Sequence, residues 1–174
     1  LTEITVEVAK DSPFLPADDK CEPIEIMPFQ INYEPILTDL SKITDRFNTY
    51  FHYTITAYGQ DIEPGVPSIE KSIEILKRLS VVTGKQRIAW RYDPVLLTDK
   101  YTVQTHMKTF SYMAKEIAPY VDRCIFSFVE MYKKLEINMP ELIPMTDKDK
   151  DMLAKSFGET AKSNNLYIQT CGTN

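Results

Sequence analysis

The sequence predicts an α/β protein in which about five or six parallel strands form a partial or complete (β/α) barrel. Three observations support this fold class. From residue 50 onward, short β-branched or aromatic runs alternate with longer stretches of helical period, which is typical of βα units. Right-handed crossovers between such units place the strands parallel. The chain has only five glycines and no glycine-rich phosphate loop after a strand, which favours a barrel over a doubly wound sheet.

The first region, residues 1–30, has a different pattern and is predicted to form strands and a loop of unclear role. Residues 2–8 alternate in polarity, and residues 24–29 are plausible as a second strand. Residues 11–23 between them carry three prolines and no periodicity, as expected of a loop. Residues 31–174 are predicted to form a barrel-like domain of βα repeats.

The elements of the βα domain are bounded by capping and breaking residues. Ser68 and Gly84 can start and end one helix, Pro119 marks the end of the next, and Thr146 can cap the last. The strand predicted at 123–129 is nearly continuous apolar sequence, which predicts burial on both faces. The predicted strands are 50–57, 87–92, 123–129 and 166–170, and the predicted helices are 35–47, 68–82, 102–120 and 146–163.

Composition and charge argue against several function classes. The formal charge of the 174-residue chain is −5 and no cluster of Lys and Arg is present, so we expect no nucleic-acid partner. No window approaches the run of about 18 apolar residues that a membrane span requires, so we expect no membrane association. The three cysteines are widely spaced and odd in number, which is typical of reduced thiols and predicts a cytoplasmic location; they are Cys21, Cys124 and Cys171.

Polar side chains follow four of the predicted strands at their carboxyl ends. In parallel α/β folds the ligand site lies at these ends, so we expect a small-molecule ligand there. No metal site is expected, because His52 and His106 have no neighbouring ligand residues in the sequence. The candidate ligand-binding residues are Tyr58, Asp61 and Glu63 after the first of these strands, Arg91 and Asp93 at the end of the second, Ser127 and Glu130 at the end of the third, and Cys171 after the last.

Arg91 is the most informative of these residues, because a guanidinium in an apolar strand needs a carboxylate or an anionic ligand. Alternation along the strand places Arg91 and Asp93 on the same side. Arg91 can therefore form an internal ion pair with Asp93 or Glu130, bind a ligand, or do both. Simpler roles stay open for the others: Asp93 can cap the turn before Pro94, the loop acids can be solvated charges, and the last cysteine can be a packed thiol.

Several short motifs occur in an order and spacing that resemble a known family. They are YGQDIEPGVP (58–67), KRLS (77–80), WRYDP (90–94), DKYT (99–102) and IFSFVEMYKK (125–134). On the basis of these motifs, residues 31–171 resemble a bacterial family, domain of unknown function family 1848.

The resemblance implies a barrel-like α/β fold related to radical S-adenosylmethionine enzymes. It also implies a cysteine cluster near the C-terminus that resembles a [4Fe–4S] site. The chain stops before that cluster, and Cys21, Cys124 and Cys171 do not supply three closely placed thiolates. We therefore expect a truncated member that holds no cofactor of its own and is inactive alone, whereas the full-length family would use the cluster and S-adenosylmethionine.

Two functions are predicted on this basis. The first is the barrel portion of a radical-SAM-like protein, in which Arg91, Asp93 and Glu130 bind S-adenosylmethionine or another polar ligand. The second is a cluster-free module that binds a small ligand or a protein partner without catalysis, with exposed strand edges that favour a homo-oligomer. A metal-free hydrolase that uses Asp93 and Glu130 is disfavoured, because no activated nucleophile is evident.

Overall fold

The computed structural model describes residues 6–8, 24–26, 32–45, 47, 49–131 and 133–171. Cys21 and the predicted loop at 11–23 lie outside these residues. Within them the strands are β1 (Val6–Val8), β2 (Ile24–Ile26), β3 (Thr49–Thr54), β4 (Ile88–Val95), β5 (Arg123–Phe128) and β6 (Tyr167–Thr170). The α-helices are α1 (Ser41–Thr44), α2 (Ile69–Thr83), α3 (Val103–Ile117), α4 (Lys133–Asn138) and α5 (Asp147–Ser163).

The centre of the fold is a sheet in which β3, β4, β5 and β6 lie parallel and in sequential order. The crossovers between them contain α2, α3 and α5, and α3 packs beside both α2 and α5. At the other edge β2 pairs parallel with β3, and β1 pairs antiparallel with β2. The α/β class and the parallel sheet are confirmed. In the described part of the chain the sheet is open, with β1 and β6 as its two ends.

The core lies between these helices and one face of the sheet. Trp90 and Tyr92 of β4 are buried against Phe110 of α3. Phe110 in turn stacks on Phe157 of α5, with ring centroids 4.1 Å apart. Because side chains alternate along a strand, the intervening residues of β4 lie on the opposite face of the sheet.

The helix and strand boundaries mostly follow the capping residues. The Ser68 side chain accepts a hydrogen bond from the Lys71 amide at 3.2 Å, and Gly84 ends α2 with a φ of 85°. Thr146 and Asp149 form a reciprocal capping box at the start of α5. The second predicted strand runs further than expected, because β4 continues through a register shift to Val95. None of the helices in the described part combines the length and hydropathy that a membrane span requires.

Two predicted elements differ from the structure. The helix predicted over 35–47 is instead a 3₁₀ turn at Glu34–Ile36 and a single turn, α1. Several amides there bond three residues back, as Asp39 N does to Ile36 O at 3.0 Å, and Pro35 lacks the N–H that an α-helical ladder needs. The loop predicted before Thr146 contains a further helix, α4, whose Lys, Leu and Glu residues favour helix formation.

Candidate functional site

The site is centred on an ion pair on the face of the sheet opposite the helices, called here the polar face (Arg91, Asp93, Arg123 and Ser127). The Arg91 guanidinium donates from Nε to Asp93 Oδ2 at 2.8 Å and from one terminal nitrogen to the same oxygen. Ser127 of the neighbouring strand donates its hydroxyl to Asp93 Oδ1 at 2.8 Å. Both carboxylate oxygens of Asp93 are therefore occupied, and three predicted residues meet at the carboxyl ends of β4 and β5.

The Arg91 side chain is only partly satisfied by this pairing. A guanidinium has five N–H donors, and Asp93 takes two of them. The remaining donors find no acceptor among the described residues. The Arg91 side chain is 28% exposed, whereas that of Asp93 is 10% exposed. The acid is thus enclosed, and the cation still has donors available toward solvent.

A second Arg–Asp pair lies on the polar face near the amino ends of the strands. Arg123 donates from Nε to Asp122 Oδ2 at 2.6 Å and from a terminal nitrogen to Gln169 Oε1 at 3.3 Å. Its guanidinium also lies 5.5 Å from the centre of the Tyr167 ring. Arg123 is more fully engaged than Arg91, and the predicted ligand end of the sheet is the end where Arg91 lies.

Glu63 reaches the same end of the sheet from the loop after β3. Its Oε2 accepts a hydrogen bond from the buried Thr56 hydroxyl at 2.8 Å, and no cation lies within ion-pair distance among the described residues. Burial raises the pKa of Glu63, and the Thr56 hydrogen bond opposes that shift. A half-buried carboxylate that lacks a counter-ion is unusual in a structural role, because desolvation destabilises its charged form.

Tyr58 and His106 hold the segment that follows Asp93. The Tyr58 hydroxyl donates to the Pro94 carbonyl and accepts from the Leu96 amide, both at 2.8 Å. His106 bonds through Nε2 to the Leu96 carbonyl at 2.8 Å, so it is a satisfied core histidine. Burial raises the pKa of Tyr58, the hydrogen bond from the Leu96 amide opposes that shift, and the negative charges of Glu63 and Asp93 add to it.

Asp61 joins two loops at the same end of the sheet. It accepts from Lys100 Nζ at 2.9 Å and from the Tyr101 hydroxyl at 2.8 Å, and that hydroxyl accepts from the Gly59 amide at 2.7 Å. These bonds lower the pKa of Asp61, with the Lys100 bond as the largest cause. A Cβ at Gly59 would lie 2.9 Å from Asp61 Oδ1, so this close contact suits glycine.

Glu130 and Cys171 are not brought to the ion pair. Glu130 is exposed, lies beyond the end of β5, and makes no ion pair with a described residue. Cys171 is exposed, and its amide bonds to the Phe126 carbonyl at 2.9 Å, which continues the β5–β6 pairing by one residue. Of the two carboxylates that sequence reasoning allowed as partners for Arg91, the structure selects Asp93.

Comparison with protein families gives one match. The family described as Domain of unknown function (DUF1848) matches residues 19–174, which include every described residue of the site. The chain belongs to this family. Searches of curated proteins and of solved structures gave no match.

The described residues of this DUF1848 member do not fit a [4Fe–4S] cluster. Such a cluster is held by closely placed thiolates. Cys124 is fully buried in the core, and burial raises the pKa of its thiol well above the usual range, which disfavours the thiolate. Cys171 is exposed at the end of β6, and no group of three metal-ligating side chains occurs in the described residues.

Thr56, Lys100 and Tyr101 were not predicted as parts of the DUF1848 site. Thr56 could not be predicted as a site residue, because a single threonine at the end of a strand forms no distinctive sequence pattern. Lys100 and Tyr101 belong to a motif that supported the resemblance. Their role depends on contact between the loop after β4 and the loop after β3, which the sequence pattern does not predict.

Proposed function

We propose that this DUF1848 domain binds a small polar ligand with a carboxylate or phosphate group at the carboxyl ends of β3, β4 and β5. The observation that carries the proposal is the Arg91 guanidinium, which is fixed by Asp93 and still has N–H donors without an acceptor in the described residues. Planar guanidinium groups bind carboxylates and phosphates strongly, often through two parallel hydrogen bonds.

The ion pair and the ligand site are compatible roles for the same residues. Asp93 and Ser127 orient the guanidinium before a ligand arrives, so little side-chain entropy is lost when the ligand binds. Placement on strands rather than loops favours a rigid site. This is the cluster-free binding function, and it requires no cofactor.

We further propose that the sheet is part of a (β/α) barrel and that S-adenosylmethionine is a candidate ligand. Support for the barrel comes from the sequential parallel order of β3 to β6. Support for S-adenosylmethionine comes from the resemblance to radical-SAM enzymes and from its carboxylate, which suits Arg91. Anaerobic reconstitution of a full-length family protein with iron and sulfide should give an absorbance near 400 nm and cleavage of S-adenosylmethionine; a colourless, inert protein would rule out the radical-SAM hypothesis. A cytoplasmic location and a homo-oligomer stay predictions.

Thermal melting with ligands tests the binding proposal. Phosphate, citrate and S-adenosylmethionine should each be titrated against the wild type, Arg91→Lys and the control variant Arg78→Lys, whose arginine is exposed on α2 and pairs with Glu34 at 3.3 Å. Lysine keeps the charge but loses the planar fork. We expect at least one probe to raise the melting temperature of the wild type and of Arg78→Lys, with roughly tenfold weaker binding to Arg91→Lys.

Equal responses of all three proteins would contradict the proposal, because binding would then be independent of Arg91. The absence of any response from the wild type would contradict it as well.

A further inference from the structure

A half-buried acid, Glu63, lies at the same end of the sheet as Arg91 and pairs with no cation among the described residues. Glu63 accepts one hydrogen bond, from Thr56, and no Lys, Arg or His of the described residues pairs with it. Asp93, in contrast, has both oxygens occupied and a cation in contact. The two carboxylates therefore differ: the charge of Asp93 is balanced by Arg91, whereas that of Glu63 is not balanced by any cation among the described residues.

The register of the sheet relates Arg91 to Thr56, the residue that donates a hydrogen bond to Glu63. Thr54 lies directly opposite Arg91 in the β3–β4 pairing, about 5 Å across the ladder. Thr56 follows two residues later, which is about 7 Å further along an extended chain. The Glu63 carboxylate, 2.8 Å from the Thr56 hydroxyl, thus lies near the level of Asp93, toward which the Arg91 guanidinium extends. Negative and positive hydrogen-bonding groups face the same end of the sheet within the span of a small molecule.

We infer that the ligand is zwitterionic, with an α-amino acid group whose carboxylate binds Arg91 and whose ammonium binds Glu63. This inference rests on the proposed function, because it needs Arg91 to be the anion-binding residue. An ammonium would supply the missing counter-ion and favour the ionised form of Glu63. A ligand that carried only a carboxylate or phosphate would leave Glu63 unmatched and would place a second negative charge near it, which is unfavourable.

Matched probes test the inference on the wild-type chain. The twenty L-α-amino acids and S-adenosylmethionine are screened by thermal melting at neutral pH. Each probe that binds is then compared by calorimetric titration with its α-hydroxy acid, which lacks the ammonium, and with its amide, which lacks the carboxylate. We expect the zwitterion to bind about 10- to 100-fold more tightly than either analogue, as befits one charge-assisted contact at each end.

The variant Glu63→Gln identifies the ammonium-binding residue. Glutamine keeps an oxygen for the Thr56 hydroxyl but loses the charge. In Glu63→Gln the preference for the amino acid over its hydroxy acid should fall to about onefold. The control Glu130→Gln removes an exposed carboxylate beyond the end of β5 and should keep the full preference.

Three results would overturn the inference: no zwitterion binds, the hydroxy acid binds as well as the amino acid, or Glu63→Gln keeps the preference. If anions still bind in an Arg91-dependent manner in any of these cases, the proposed function stands and only the zwitterion is refuted. If no anion binding depends on Arg91, both fail.

Discussion

Arg91→Ala should leave the Asp93 carboxylate inside the protein without its cation. Exposed ion pairs contribute about 0.2–1 kcal/mol, whereas breaking a buried pair costs about 3–5 kcal/mol. Asp93 is 10% exposed and Arg91 is 28% exposed, so the pair lies between these limits, and Ser127 stays as one donor. We expect a loss of about 2–3 kcal/mol in the free energy of unfolding, or a decrease in Tm of roughly 4–12 °C for a domain of this size.

Urea denaturation followed by tryptophan fluorescence measures this loss. The chain has one tryptophan, Trp90, which is buried next to Arg91 in sequence and donates its indole N–H to the Ile55 carbonyl at 2.9 Å. Its emission therefore reports on unfolding of the core rather than on the polar face.

A double-mutant cycle separates the ion pair from other effects of the substitution. Asp93→Asn keeps an oxygen for the Ser127 hydroxyl and removes the buried charge. The double variant Arg91→Ala/Asp93→Asn should therefore be more stable than Arg91→Ala alone. A loss below about 0.5 kcal/mol for Arg91→Ala, or a double variant with simply additive losses, would refute the reasoning that the pair is partly buried and coupled.

Four further predictions concern the rest of the site. Ser127→Ala should cost about 1.5–3 kcal/mol in urea denaturation, because it removes a donor to a charged group; a loss under about 0.5 kcal/mol would refute the Asp93 contact. Burial raises the pKa of Glu63 above its ordinary value of 4.5, so stability is lost as pH rises through the folded-state pKa and the carboxyl ionises; the Tm difference between Glu63→Gln and the wild type should therefore shift in favour of Glu63→Gln as the pH rises above 4.5, and parallel curves would contradict this. Tyr101→Phe should lower the free energy of unfolding by about 1–2 kcal/mol and speed hydrogen exchange at the Gly59 amide, which donates to the Tyr101 hydroxyl; unchanged exchange would show that this contact is not formed. Glu130→Gln should change stability by less than about 0.5 kcal/mol in the same denaturation assay, and a larger loss would mean that Glu130 has a partner.

The Arg91–Asp93 pair could be predicted from sequence because it depends only on local geometry. Two residues that are two positions apart on one strand share a face, whatever the rest of the fold does. Ser127 followed from the rule that parallel strands present their carboxyl ends at one edge of the sheet. These residues needed no knowledge of loop structure.

Glu63 and Glu130 show where that reasoning stops. Glu63 reaches the site because the loop after β3 folds back, with its amide bonded to the Gly59 carbonyl at 2.9 Å, and no sequence period encodes that turn. Glu130 was placed with Arg91 by extending the strand to residue 129, but β5 ends at Phe128, and side chains beyond a strand have no fixed face. Loop positions depend on tertiary contacts that the sequence pattern does not contain.

The central claim is that Arg91 is the anion-binding group of this domain, and its side-chain NMR signal tests that claim most directly. The chain has five arginines, so their Nε–H resonances can be followed individually by ¹⁵N correlation spectra during titration with phosphate, citrate and S-adenosylmethionine. We predict a saturable shift of the Arg91 Nε–H resonance, with the Arg123 resonance near the opposite end of the polar face unchanged. An unchanged chemical shift for Arg91, or equal and non-saturable shifts for all five arginines, would contradict the claim.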